Sequence, residues 1–590
     1  MAVAVTMAAM KVAALRHSLR GTRAQLAGTG AALGAVLAGG TLYLAFGDLD
    51  LLAAAYAVWL LGWLLGPVFM GGGDETLRPE YFSLLGLKPR ELATGLLFAA
   101  FVGLAPLVSI VALTGLVIAG VRLGPGNALV AVPAMLLQLA VFVLLSKVGV
   151  ALVGLGLRSR LGAIGTGLVN GTILAGLGQI WVVFWALGQT GIPTAVAYLP
   201  SGWGLLAVRG VWWAIPALVA LVLVLLGAWA ALLTRRLGAT RTSGSGRRPI
   251  RAASPGGAIV AKELRTWSRD LVRNYQLTFA LAYGVGFAAS PLLIGWNGML
   301  PYAGPIFVVM AAGLAANMYG TDGTALWLTL MTPGARDVRG RQLAWLSVHA
   351  PIAIVLTVVC TAITGGPWPL ILALLPALLG GAVGLVPLIS VYGLVPGTDP
   401  HRRANNPLRT SEDDGGLTGQ AYAALAAVAA TAVPAALAAQ WFGWAGPAIG
   451  VATGLLSWWG FGALAERRLH SHGPELLNEM RTGRKATGAR SIQTRFDQLP
   501  TGRKAIAWWC FGFGAIPLFP QGVVAAVFVA NGMTRQSWFL ATYVSPGLRY
   551  PVAIGFAVLG VAMYAGGTWL VLPKRTKRQG SRPTPPTEAL

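Results

Sequence analysis

Long apolar runs separated by short polar breaks recur along almost the whole chain. A bilayer core about 30 Å thick needs roughly 20 apolar residues per helix. Runs of that kind fall near 25–46, 50–71, 92–120, 127–156, 163–188 and 211–233. After a basic, Ser/Gly-rich break they resume near 276–297, 301–319, 344–365, 367–394, 419–440 and 444–464, and two more lie near 506–531 and 548–572. The pattern predicts an all-α fold, a polytopic membrane protein with about fourteen transmembrane helices. The run at 367–394 contains Pro367, Pro369, Pro376 and Pro387, which predicts a later start or a kink.

Composition supports the same class. Of 590 residues 56% are hydrophobic and only 11% charged, against about 25% charged in a soluble globular chain. Cys360 and Cys510 sit inside apolar runs and read as small apolar fillers rather than a disulfide or metal framework. The first run begins near Leu26 with no cleavage-site pattern, which predicts a retained first helix rather than a signal peptide.

The net charge of +25 raises the question of nucleic-acid binding, and the placement of the charge answers it. With the N-terminus inside, 39 of the 44 Lys and Arg fall in inner segments. Arg122, Arg209, Arg535 and Arg549 fall outside, and Lys147 lies within a span near its inner end. The positive-inside rule therefore predicts both termini in the cytoplasm, and the positive charge is an orientation signal with an attraction to anionic headgroups. No nucleic-acid partner is expected.

Two stretches after the second run of each half read alike. One is Gly73-Asp74-Glu75-Thr76 with Lys88-Pro89-Arg90-Glu91-Leu92; the other is Thr321-Asp322-Gly323-Thr324 with Arg336-Asp337-Val338. Each half also opens on a basic segment before its first run, Met10 to Arg20 and Ile259 to Arg273, the second with Leu264, Trp267 and Leu271 on one face. Such segments lie in the interface plane. Six runs per half give a 6+6 parallel pseudo-repeat, with two C-terminal helices appended. The expected divisions are 1–240 and 258–465 for the two six-helix halves, and 241–257 for a basic linker. The rest divides into 466–505, a basic loop; 506–572, the two extra helices; and 573–590, a disordered basic tail.

The residues Gly320-Thr321-Asp322-Gly323-Thr324-Ala325-Leu326-Trp327, continuing through Pro333 to Arg336-Asp337, resemble the permease subunits of ABC-type exporters in high-GC Gram-positive bacteria. Gly73 to Leu92 fits less closely, since Arg78-Pro79-Glu80-Tyr81 departs from the second copy. Leu199-Pro200-Ser201-Gly202-Trp203 also looks like a feature of that family. The resemblance covers roughly residues 1–465 and leaves 470–590 unexplained. It implies the transmembrane component of an exporter in a bacterial plasma membrane, in a form that fuses two halves. It further implies a separate ABC ATPase subunit, as two copies or a dimer, docked on loops 73–92 and 320–341. The chain contains no G-x-x-x-x-G-K-[ST], so ATP would enter through the partner, and no enzymatic activity, cofactor or metal is expected of this chain.

The candidate coupling residues are Asp74, Glu75, Arg90, Glu91, Asp322, Arg336 and Asp337. Asp74, Glu75 and Asp322 fit either the N-cap of a short interfacial helix or contact with the ATPase. Arg90 with Glu91, and Arg336 with Asp337, fit local solvated pairs or the same contact. None of the 19 acidic residues falls in the middle of a run, which weighs against an ion-coupled secondary transporter without removing that alternative, since unwound backbone carbonyls also hold sodium. Lys147 and His349 are the deepest ionisable groups and read as structural. A lipid-linked glycosyltransferase is a remote alternative, resting on Asp48 and Asp50 in an outer loop of about five residues.

Overall fold

The computed structural model describes residues 2–18, 22–69, 77, 82, 89–156, 159–238, 251–332, 336–396, 416–482, 499–530, 532 and 539–571. Among them every regular element is helical. Among the described residues twelve helices are long and apolar enough to cross a membrane, and Gly30–Ala45, Glu91–Ala100 and Leu300–Leu314 are apolar but shorter. The protein is a multi-pass α-helical membrane protein.

The chain separates into two compact units, Met1–Arg484 and Lys485–Leu590. In the first, the opening elements are α1 (Ala2–Ser18), α2 (Thr22–Ala45), α3 (Leu49–Phe69), α4 (Pro89–Ala100), α5 (Leu104–Leu123) and α6 (Pro125–Gly156). They are followed by α7 (Arg160–Gly178), α8 (Ile180–Thr190), α9 (Trp203–Val208) and α10 (Ala214–Gly238). A second series comprises α11 (Pro255–Arg269), α12 (Leu271–Ala289), α13 (Ala303–Leu314), α14 (Leu326–Leu330) and α15 (Asp337–Thr364). It closes with α16 (Trp368–Tyr392), α17 (Gly416–Thr431), α18 (Val433–Phe442), α19 (Ala445–Ser471) and α20 (Gly473–Thr482).

Local chemistry sets many of these ends. Ser254 caps α11 by accepting from Gly257 N at 3.1 Å, with Pro255 in the first turn, where a missing N–H costs nothing. Asp270 ends α11 and caps α12, accepting from Val272 N at 2.9 Å. The run expected at 92–120 divides into α4 and α5 at Gly103, whose φ is 154°. The run at 367–394 forms one helix from Trp368 to Tyr392, with Pro376 and Pro387 inside it and neither a late start nor a break. Pro367 and Pro369 sit at its entry, where proline is tolerated. The internal prolines are carried because this helix is the most buried of the candidate spans and packed neighbours compensate for a lost backbone bond.

Related pairings occur in both series. α1 packs on α4 as α11 packs on α15, α3 on α6 as α13 on α16, and α6 on α10 as α16 on α19. The two series meet along α7 and α12. Ala163, Gly167, Gly171 and Ala175 recur every four residues on α7 and are all buried there. A side chain at Gly171 would strike the carbonyl of Phe279, and one at Gly167 the carbonyl of Tyr275, so small residues are what allow these two helices to touch. Two polar bonds cross the same seam: Asn170 Nδ2 donates to Tyr275 Oη at 3.1 Å and Gln179 Nε2 to Phe287 O at 3.0 Å.

The second unit contains Thr501–Phe513, a π-helical stretch Pro517–Val524, Ala525–Ala530 and the long helix Pro546–Val571. Pro517 and Pro520 deny the ordinary α-helical bonds at this point, consistent with the wider turn. Gln521 Oε1 accepts from Leu540 N at 2.9 Å, joining this stretch to the segment before the last helix.

Candidate functional site

At the end of the bundle where α15 begins, α11, the turn Gly320–Ala325 and the first turns of α15 converge on one guanidinium. Asp337 opens α15, where a carboxylate suits the positive end of the helix. One turn on, Arg341 is fully buried. Its Nε donates to Asp337 Oδ2 at 2.7 Å, its Nη1 lies 3.1 Å from Glu263 Oε1, and its Nη2 is paired with Asp322 Oδ2. Its planar fork thus meets three carboxylates from three separate elements, a geometry that lysine does not reproduce.

The outer members complete the charge balance. Glu263, 1% exposed, also takes Arg273 Nη1 at 2.6 Å, and Asp322 takes Lys262 Nζ at 3.1 Å. Three cations face three carboxylates, so the network is neutral and leaves no excess negative charge to hold a free cation. Tyr319 donates its hydroxyl to Asp337 Oδ2 at 2.8 Å, and its ring lies under the Arg341 guanidinium at 4.3 Å, a cation–π contact strengthened by burial.

The protonation states follow from this arrangement. Burial alone raises the carboxyl of Glu263, but the guanidiniums of Arg341 and Arg273 and the ammonium of Lys262 outweigh it, and the net shift is downward. Asp322 behaves likewise: burial raises it, Arg341 and Lys262 lower it further, and it settles at about 2. Burial, reinforced by the Asp337 charge, lifts the Tyr319 phenol well above its usual range. Tyr319 therefore remains a donor while Glu263 and Asp322 remain charged.

The turn itself depends on Gly323, at φ 58° and ψ −140°, a conformation reserved for glycine. Around it, Asn317 exchanges two bonds with Val395, Nδ2 to O at 2.9 Å and N to Oδ1 at 3.2 Å, and Tyr319 N donates to Ser390 Oγ at 2.8 Å. On the neighbouring face of α15, buried Gln342 donates to Val383 O at 3.1 Å and to Trp458 O at 3.2 Å, and accepts from Trp458 Nε1 at 3.1 Å. One residue of α15 thereby ties α16 and α19. Deeper in, His349 gives Nδ1–H to Trp345 O at 2.8 Å, because a carbonyl only accepts. Its ring is enclosed by Trp345, Trp267 and Phe307 at 4.1, 4.8 and 5.9 Å.

Among the residues predicted from sequence, Asp322 and Asp337 are brought together on Arg341. Asp322 is no N-cap: the turn it belongs to has no side-chain cap, and its carboxylate is committed to ion pairs. Arg336 is exposed just before α15 and stands outside the network, and Asp337 pairs with Arg341 instead of with it. Glu91 is exposed in the first turn of α4, where Arg90 also lies. Asp74 and Glu75 lie outside the described residues. Sequence reasoning missed Glu263, Arg273, Tyr319 and Arg341. Two local signals were present: Ile259, Glu263 and Trp267 share a face at four-residue spacing, and Arg341 follows Asp337 by one turn just before the apolar run at 344–365.

Compared with protein-family models, curated proteins and solved structures, the chain matches none.

Proposed function

We propose that this chain is the membrane-spanning component of an ATP-driven export system, receiving a separate ATPase through loops 73–92 and 320–341 at the cytoplasmic side. The observation that carries this function is the Arg341 network. The loop singled out by the Gly320–Asp337 motif is joined through one buried guanidinium to an interfacial helix and to the start of a long membrane helix. A push on that loop therefore reaches the membrane through directional ion pairs. The outward side of the same loop presents Trp327, Leu328 and Met331, which are 50, 53 and 73% exposed, an apolar surface suited to a protein partner. The matching helix pairings of the two series support a duplicated 6+6 architecture, with the cargo path between the halves.

Purification of the full chain from its own membranes tests this. An ATPase should co-purify, and vesicles carrying both should transport only with MgATP. Transport that follows a proton or sodium gradient without ATP would establish the ion-coupled alternative instead. Double replacement Asp48→Ala with Asp50→Ala should leave transport unchanged, whereas a lipid-linked glycosyltransferase would lose its activity.

A further inference from the structure

The two helix starts that the repeat pairs with each other are built from opposite chemistry. Arg90-Glu91-Leu92 of α4 matches Arg336-Asp337-Val338 of α15, which sets Gly95 opposite Arg341. On the interfacial helices it is contact, not sequence offset, that puts Met7 of α1 in the place of Glu263 of α11. A side chain at Gly95 would collide with Met7, with Val3 close by, just as Glu263 meets Arg341. Lys11 Nζ donates to Ala99 O at 3.0 Å, one turn beyond Gly95.

Where the second half holds a carboxylate against a guanidinium, the first half holds a thioether against a glycine. Met7 is 2% exposed, so the pair is packed as well as replaced. Glu91, at the position of Asp337, is exposed, whereas Asp337 is buried.

The physical consequences differ. Shifting the 320–325 turn relative to α15 separates buried charges, which is strongly opposed, so turn, α11 and α15 move together. A methionine lying on a glycine makes contacts without direction, and such a side chain adapts as its neighbour slides. Accepting the ATP-driven function above, we propose that the two halves are unequal partners of the ATPase. The Arg341 end transmits its movement into the membrane, and the Gly95 end only seats it.

The test uses the full chain with its co-purified ATPase in nanodiscs, with MgATP as the sole probe. Two quantities are read: the amount of ATPase retained, and the chain-dependent change in ATP hydrolysis. Arg341→Lys keeps the charge but loses the three-way fork; it should retain the ATPase and reduce the hydrolysis response at least tenfold. Met7→Leu and Lys11→Gln should each stay within twofold of the wild type. An Arg341→Lys response within twofold of wild type, or equal losses at both ends, would overturn the inequality. Should Arg341→Lys not fold, Lys262→Gln, altering a half-exposed side chain that holds Asp322, carries the test: a loss of at least threefold is expected, and no change overturns it. A wild-type chain that retains no ATPase defeats the ATP-driven function itself. A wild-type chain that responds while both ends count equally defeats only the inequality.

Discussion

The α7–α12 seam and the Arg341 network solve the same problem, holding helices together where water is scarce, by opposite means. The seam removes side chains so that backbones touch, and adds two neutral hydrogen bonds. The network adds six charges and cancels them. A seam of small residues tolerates gradual sliding, because its energy is spread over many weak contacts. A buried ionic cluster is all or nothing, because each partner withdrawn strands another. The difference teaches where this molecule is free to adjust and where it is committed.

The sharpest way to break the comparison is to delete the hub. Arg341→Met leaves three carboxylates with two cations and should lower stability by about 3–5 kcal/mol, measured by thermal unfolding in detergent. Adding Asp337→Asn to that variant should recover part of the loss, since coupled sites are not additive. If the double variant instead loses the full sum, the network is not one unit.

Acid should reproduce part of that effect without mutation. Asp322 has a folded-state pKa of about 2, below its ordinary 3.8, and Glu263 is shifted in the same direction. Groups with depressed pKa values stabilise fully above their unfolded values and lose that contribution as pH falls through the folded ones. Stability should therefore be flat above about pH 5 and fall between about pH 4 and 2, with Asp322 alone accounting for roughly 2–3 kcal/mol. Asp322→Asn should flatten that fall.

The seam should yield less. Gly171→Ala inserts a methyl against the Phe279 carbonyl and should cost about 1–3 kcal/mol, read as a lower unfolding temperature with no new dependence on acid pH. Tyr275→Phe, removing the partner of Asn170, should be smallest, at about 0.6 kcal/mol.

Much of this was legible in the sequence, for identifiable reasons. Hydropathy marks a membrane helix whatever its neighbours, so the long helices lie where the apolar runs do. Asp322 and Asp337 stood out because they are acids beside a turn glycine and a helix start. Hydropathy did not show that the run at 92–120 divides at Gly103, because a backbone torsion leaves no trace in composition. It did not show that Pro376 and Pro387 leave α16 whole, because that depends on what packs around it. Glu263 was hidden in a segment read as basic and interfacial, and its pairing with Arg341 crosses 78 positions, far beyond any local pattern.

Gln342 has a consequence for how the protein is made. The Trp458 carbonyl that its amide requires lies 116 residues downstream. At about 5–20 residues per second, the ribosome reaches that carbonyl on the order of ten seconds after finishing the start of α15. Throughout that interval the newborn α15 carries a polar amide without its α19 acceptor, a strong reason for its first turns to wait at the aqueous face. Arrival of α19 is then the step that lets this end of the bundle close.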